Sequence, residues 1–144
     1  MTDPLYYPPN VEALLSTFLR DQQELIDLVD DRIYTVIPKL ATYPLVRVQQ
    51  IIDVPAGSPL WAIASTLQVD AWGGSKADAF RISNTARALI DSRLSGEYDG
   101  YGVVNGTTAG SAMDLPDEDF DPAKPRWIFS CTIYVRPIAT LSNS

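Results

Sequence analysis

Hydrophobic and polar residues alternate along Trp61–Trp72, near the middle of the chain, and this pattern predicts a half-buried β-strand. Gly73-Gly74 follows, and glycine can take positive φ at little steric cost, so the chain can reverse there. Ser75 is a typical helix N-cap, with Asp78 three residues later as a capping-box partner. From Lys76 onward, apolar residues recur at helical spacing: Ala79, Ile82, Ala86, Leu89 and Ile90. The sequence therefore predicts a strand–turn–helix unit over residues 61–94.

The N-terminal part of the chain predicts an arm followed by two short helices. Residues 1–10 contain three prolines and two tyrosines, which favours an extended arm. Asn10 can cap a first helix, whose apolar stripe breaks at Arg20-Asp21. Asp21 with Glu24 resembles a second capping box, so we predict a second helix that ends before Asp30.

Four further segments have the composition of strands. Residues 33–37 form a short one, and Leu45–Val54 a clear one that ends at a Pro/Gly turn over 55–59. A weak, glycine-containing strand over 98–104 precedes a long loop at 105–125. Arg126–Arg136 alternates throughout and predicts the last strand.

This order of elements predicts an α+β fold. We expect a single domain over residues 11–137, built on a mainly antiparallel four- to five-stranded sheet with helices packed on one face. The arm at 1–10 lies outside it, and the tail at 138–144 is expected to be disordered. A length of 144 residues fits one domain with one core.

Composition and charge narrow the function classes. No run of eighteen apolar residues exists, and the N-terminus lacks a secretory signal, so we expect assembly in the cytoplasm and no membrane contact. The net charge of −7 argues against a basic surface that binds nucleic acid. The chain has no histidine, which excludes the common triads and His-based zinc sites. Its one cysteine, Cys131, is expected in the core.

The sequence gives little support for a catalytic, cofactor or metal site. Residues 100–110 contain no phosphate-binding glycine motif, and no nucleophile accompanies the carboxylates, so we predict neither an enzyme nor a cofactor. The acidic run in the long loop does not have the spacing of a calcium site, so we predict no metal site. It fits a solvated loop or a loop that contacts another protein; its carboxylates are Asp114, Asp117, Glu118, Asp119 and Asp121.

Four segments resemble the tail terminator (tail-completion) proteins of long-tailed bacteriophages. They are similar to that family in apolar type and spacing, over most of residues 11–136. The segments are Asp31-Arg32-Ile33-Tyr34, Tyr43-Pro44-Leu45-Val46-Arg47-Val48, Leu67-Gln68-Val69-Asp70-Ala71-Trp72 with the helix after it, and Ile128 to Val135.

The resemblance implies a structural virion protein at the head–tail junction. Members of the tail terminator family form a ring, usually a hexamer, that caps the completed tail tube, stops polymerisation of the tube and joins the head or neck. The partners implied are further copies of the chain, the tail tube protein and a head-completion or neck protein. DNA would pass through the lumen without specific binding, which the acidic composition favours.

Three contact regions are expected from these arguments. The loop residues Asp114, Asp117, Glu118, Asp119 and Phe120 are the first choice for contact with tube or neck, ahead of the turn at 55–59. Tyr6, Tyr7 and Trp72 are candidates for the subunit interface, although a frayed arm and a packed indole are the alternatives. Two other functions stay open: a head-closure or connector protein of the same virion, and a small cytoplasmic binding domain.

Overall fold

The computed structural model describes residues 9–55, 63–98 and 102–136. Within these ranges the chain forms three helices and seven strands. The helices are α1 (Val11–Arg20), α2 (Gln23–Val29) and α3 (Lys76–Arg93). The strands are β1 (Ile33–Tyr34), β2 (Leu45–Pro55), β3 (Ile63–Trp72), β4 (Gly96–Tyr98), β5 (Gly102–Ala109), β6 (Met113–Asp114) and β7 (Arg126–Arg136). The α+β class predicted from the sequence is confirmed.

The two N-terminal helices form as predicted, but the second is capped differently. The Asn10 side chain accepts a hydrogen bond of 3.1 Å from the Ala13 amide at the start of α1. Gln22, and not Asp21, is the N-cap of α2, and its side chain makes no capping bond. The predicted capping box is therefore wrong. The Glu24 carboxylate instead pairs with Arg93 of α3 at 2.6 Å, which ties the two helices together.

The sheet is larger than predicted and is mixed. The strand order is β1-β2-β3-β7-β5-β4, with β6 beside β7. All pairs are antiparallel except β1 with β2, which run parallel through Ile33 opposite Val46. The expected four to five strands become seven for two reasons: the strand predicted over 98–104 is divided into β4 and β5, and β6 is a two-residue strand, too short to give a period.

One face of the sheet is covered by helices. Along β3 and β7, every second side chain is buried on this face, and opposite residues include Val69 with Phe129 and Leu67 with Cys131. Helix α3 packs on these two strands, α1 packs on β1 and β2, and α2 packs on α3. The other face carries polar residues in its middle, where the Thr66 and Thr132 hydroxyls lie 3.3 Å apart.

The turn between β3 and α3 depends on a close approach of the backbone. A Cβ atom at Gly73 would lie 2.5 Å from the Ala79 amide nitrogen, so only glycine fits there. The Ser75 hydroxyl then accepts from the Asp78 amide at 3.1 Å and begins α3 as predicted. This turn places Trp72 at the end of the sheet.

The loop predicted at 105–125 is shorter than expected. Residues 105–109 belong to β5, and β6 pairs with β7 through Met113 opposite Ile128. A bulge between Val104 and Gly106 interrupts the alternation of β5, which is why the pattern predicted a strand only as far as residue 104. The predicted tail at 138–144 lies outside the described residues.

No helix in the described ranges has the length and apolar character needed to cross a membrane.

Candidate functional site

The acidic segment of the chain is the tip of a hairpin. Residues 113–128, here called the acidic hairpin, comprise β6, the start of β7 and the turn between them. Beyond the strand pairs, Asp117 and Lys124 form an isolated antiparallel bridge, with N–O distances of 2.8 and 3.0 Å. These bonds give the acidic segment a fixed backbone, so its carboxylates have defined positions.

Trp72 anchors this hairpin to the end of the sheet. Its indole Nε1 donates a hydrogen bond of 2.9 Å to Asp117 Oδ2, and the side chain is only 2% exposed. Asp117 is itself 8% exposed, and its other oxygen accepts from the Asp119 amide at 3.1 Å. The guanidinium carbon of Arg126 lies 5.6 Å from the indole centroid. The hairpin therefore closes over Trp72.

An aromatic and cationic cluster extends this anchor. The Tyr43 ring packs edge-on against Trp72 and Phe120, with centroid distances of 6.1 and 5.7 Å. Lys124 Nζ lies 4.3 Å from the Tyr43 centroid and 4.6 Å from that of Phe120. Cation–π contacts of this kind add to the apolar packing of the rings. Burial and the nearby Asp117 carboxylate raise the pKa of Tyr43, although Arg47 acts against this.

An ion pair between a half-buried arginine and a fully buried carboxylate lies beside the cluster on the same face. Asp70 is fully buried and accepts from Arg47 Nε at 3.0 Å and from Gln68 Nε2 at 2.8 Å. Arg47 also lies over Trp72, with its guanidinium carbon 5.5 Å from the indole centroid. The charge of Asp70 is compensated within the chain, so this carboxylate is a structural group.

The structure separates the acidic residues into two groups. Asp117 is buried, and Asp114 forms an ion pair of 3.3 Å with Lys76. Glu118, Asp119 and Asp121 are exposed, as is Phe120 beside them. Among the predicted contact residues, Glu118, Asp119 and Phe120 therefore remain available to a partner, and their contact with tube or neck stays a prediction.

The predicted subunit-interface residues are not brought together. Tyr6 and Tyr7 lie outside the described residues, as does most of the turn at 55–59. Trp72 contacts residues of its own chain, so its meeting with a neighbouring subunit stays a prediction that would require the hairpin to move away.

The described residues offer little reactive chemistry. No group of three or more Asp, Glu, His or Cys side chains within them is arranged to hold a metal ion. Cys131 is buried, and this burial, with a smaller effect of Asp91, raises the pKa of its thiol to about 12. A thiol held in its neutral form is a poor nucleophile.

Sequence reasoning missed the residues that hold the hairpin. Tyr43, Lys124 and Arg126 approach Trp72 from distant parts of the chain, and no local pattern marks them. One signal was present: Lys124 and Arg126 follow directly on a run of carboxylates, a placement that favours internal pairing.

Comparison with known proteins gives a match in fold. No protein-family model matches the sequence, and no curated protein matches it. A solved structure described as "Virion of native gene transfer agent (GTA) particle" contains a chain with the same fold. The TM-score is 0.68 and the identity 14%, and the match covers 87% of this chain and 93% of that chain.

Proposed function

We propose that this chain is a structural protein of a phage-like virion, and that it acts as a tail terminator. The observation that carries the proposal is the fold match, which spans nearly the whole of both chains and involves a component of a virion particle. The four sequence segments that resemble tail terminators support the finer assignment. These segments include β2, the end of β3 and β7, which form the centre of the sheet.

In this proposal, copies of the chain form a ring, of six subunits by the resemblance, at the head–tail junction. The ring binds the last tail tube subunits, stops further polymerisation and presents a second surface to a head-completion or neck protein. DNA passes through its lumen without specific binding. The net charge of −7 per subunit supports this last point, since like charges disfavour adhesion of DNA.

The role proposed is non-catalytic. It is supported by the carboxylates of the acidic hairpin, which are either paired within the chain or exposed to solvent, and by the buried, neutral Cys131. The exposed tip of the hairpin is our candidate for contact with tube or neck. A rigid tip loses little conformational entropy on binding, which favours such a contact.

The test is tail length, measured by electron microscopy, in a phage that lacks the gene for this chain. We expect overlong tails without heads, and complementation by the intact gene should restore normal length. Tails of normal length beside separate heads would instead indicate a head-closure or connector protein. Intact infectious particles would overturn both virion roles and favour the small binding domain.

A further inference from the structure

The loop between β1 and β2 exposes two large apolar side chains. Leu40 is 94% exposed and Val36 81% exposed, the highest values among the large hydrophobic residues described. Ile37 and Ala41, each next to one of them, are half-buried. The loop thus presents Val36 and Leu40 to solvent, where a partner with an apolar surface can bury them.

The charge of this loop is unusual for the chain. Residues 35–42 contain no carboxylate, although the chain has 18 Asp and Glu residues. Lys39 is the one charged residue in the loop, and no salt bridge within the described ranges includes it. The loop tip therefore fits a partner surface that combines an apolar cavity with a free carboxylate.

The chain carries a surface of that kind itself. A cavity of about 270 Å³ lies between the end of α1 and β4, and its lining is Thr17, Phe18, Arg20, Asp21 and Tyr98. The Phe18 and Tyr98 rings meet edge to face at 6.5 Å and form its apolar wall. Arg20 is already engaged, since its Nε donates to the Ile33 carbonyl at 2.9 Å. Asp21 is exposed and joins no salt bridge among the described residues.

We propose that Leu40 of one copy occupies the Phe18–Tyr98 cavity of a second copy, with Lys39 paired to Asp21. The near-complete exposure of Leu40 means that it does not fill the cavity of its own chain. In the proposed contact each copy gives its loop to one neighbour and its cavity to another, and repeated heterologous contacts of that type close into a ring or extend into a filament. This inference rests on the proposed function, because it supplies the contact that the proposed ring requires.

A charge exchange tests the contact directly. The mass of the purified chain is measured by light scattering over a range of concentrations for wild type, Lys39→Glu, Asp21→Lys and the double variant. We expect each single variant to weaken association by roughly tenfold or more, because like charges then face each other. The double variant should recover most of the loss. Failure of the double variant to associate better than either single variant would overturn the proposal.

A second experiment places the two surfaces in contact. Leu40→Cys combined with Thr17→Cys should give disulfide-linked dimers and higher species under mild oxidation, whereas neither single variant should give a ladder. The native Cys131 is buried and does not interfere. Absence of linked species, or a disulfide within one chain, would overturn the proposal. Leu40→Ser should weaken association by roughly 30-fold, as expected for an anchor residue, with unchanged circular dichroism.

These experiments distinguish failure of the proposed contact from failure of the proposed terminator function. If Leu40→Ser still forms rings, the proposed Leu40 contact is overturned, but the proposal that the chain forms a ring stands. A wild-type chain that stays monomeric at every concentration would also overturn the contact, and tail length in the deletion phage would then decide the terminator role independently.

Discussion

The indole nitrogen of Trp72 donates a 2.9 Å hydrogen bond to Asp117, which lies 45 positions later in the chain. Both side chains are buried, so the bond satisfies a donor and an acceptor that water does not reach. This bond joins the end of β3 to the acidic hairpin. It converts an acidic segment, which charge repulsion alone would extend, into a hairpin with a fixed tip.

Asp117→Ala should therefore destabilise the fold. The substitution leaves the Trp72 N–H buried without an acceptor, at a cost of about 1–3 kcal/mol in the free energy of unfolding. Asp117→Asn keeps a side-chain oxygen and should cost less. Urea denaturation measures both, with the exposed Glu118→Ala as the matched control, expected within about 0.5 kcal/mol of wild type. Equal stabilities of Asp117→Ala and Glu118→Ala would contradict the role given to this bond.

Arg47→Met should be among the more damaging single changes. It leaves the fully buried Asp70 carboxylate without its cation, which typically costs about 3–5 kcal/mol. The double variant Arg47→Met/Asp70→Leu removes both charges and should be more stable than Arg47→Met alone. Thermal or urea unfolding of wild type, Arg47→Met, Asp70→Leu and the double variant measures the coupling energy between the two side chains. Additive changes in the free energy of unfolding would contradict this coupling.

Ser83→Ala should stabilise the protein. The Ser83 hydroxyl is buried in α3 and has no hydrogen-bond partner among the residues that the structure describes, and alanine is the better helix former. We expect a gain of up to about 1 kcal/mol, seen as a higher urea midpoint with an unchanged slope. Ser16→Ala is the control, because the Ser16 hydroxyl donates to the Ala13 carbonyl at 3.2 Å. Its removal should therefore give a smaller gain in the free energy of unfolding.

Cys131 should resist labelling in the native state. Its thiol is neutral below a pKa of about 12, so a maleimide reagent at neutral pH should react only as the chain unfolds. The raised pKa also predicts a pH effect. Above 9.0, the ordinary value, the unfolded thiol loses its proton before the folded one, so stability falls as pH rises towards 12. Cys131→Val should reduce that fall, measured by urea unfolding at several alkaline pH values.

Reversal of the hairpin tip tests its proposed contact. Glu118→Lys/Asp119→Lys should leave the fold intact, since both side chains are exposed, yet lower the yield of joined particles by roughly tenfold. The control is Asp27→Lys/Asp91→Lys, which changes the net charge by the same amount but on α2 and α3. Equal yields from the two double variants would exclude a specific role for the tip.

The sequence predicts best those elements whose determinants are local. Ser75 and the apolar stripe after it specify α3, and the alternation in β7 specifies that strand without outside help. The pairing of Ile33 with Val46 escaped prediction, because a two-residue strand has no period and its partner lies across a turn. The anchor at Asp117 was missed for a similar reason: the residue is one of five carboxylates in the segment, and only the tertiary contact with Trp72 distinguishes it.

The central place of β7 has a consequence for synthesis. This strand is the last of the seven in sequence, yet it lies between β3 and β5 in the sheet. On the ribosome, the segments before residue 126 emerge without the strand against which both β3 and β5 pair, so their apolar faces cannot close into the native core. Folding must wait until β7 has left the exit tunnel. A chain truncated or stalled before β7 would then lack the native surface, and it could not enter the proposed ring.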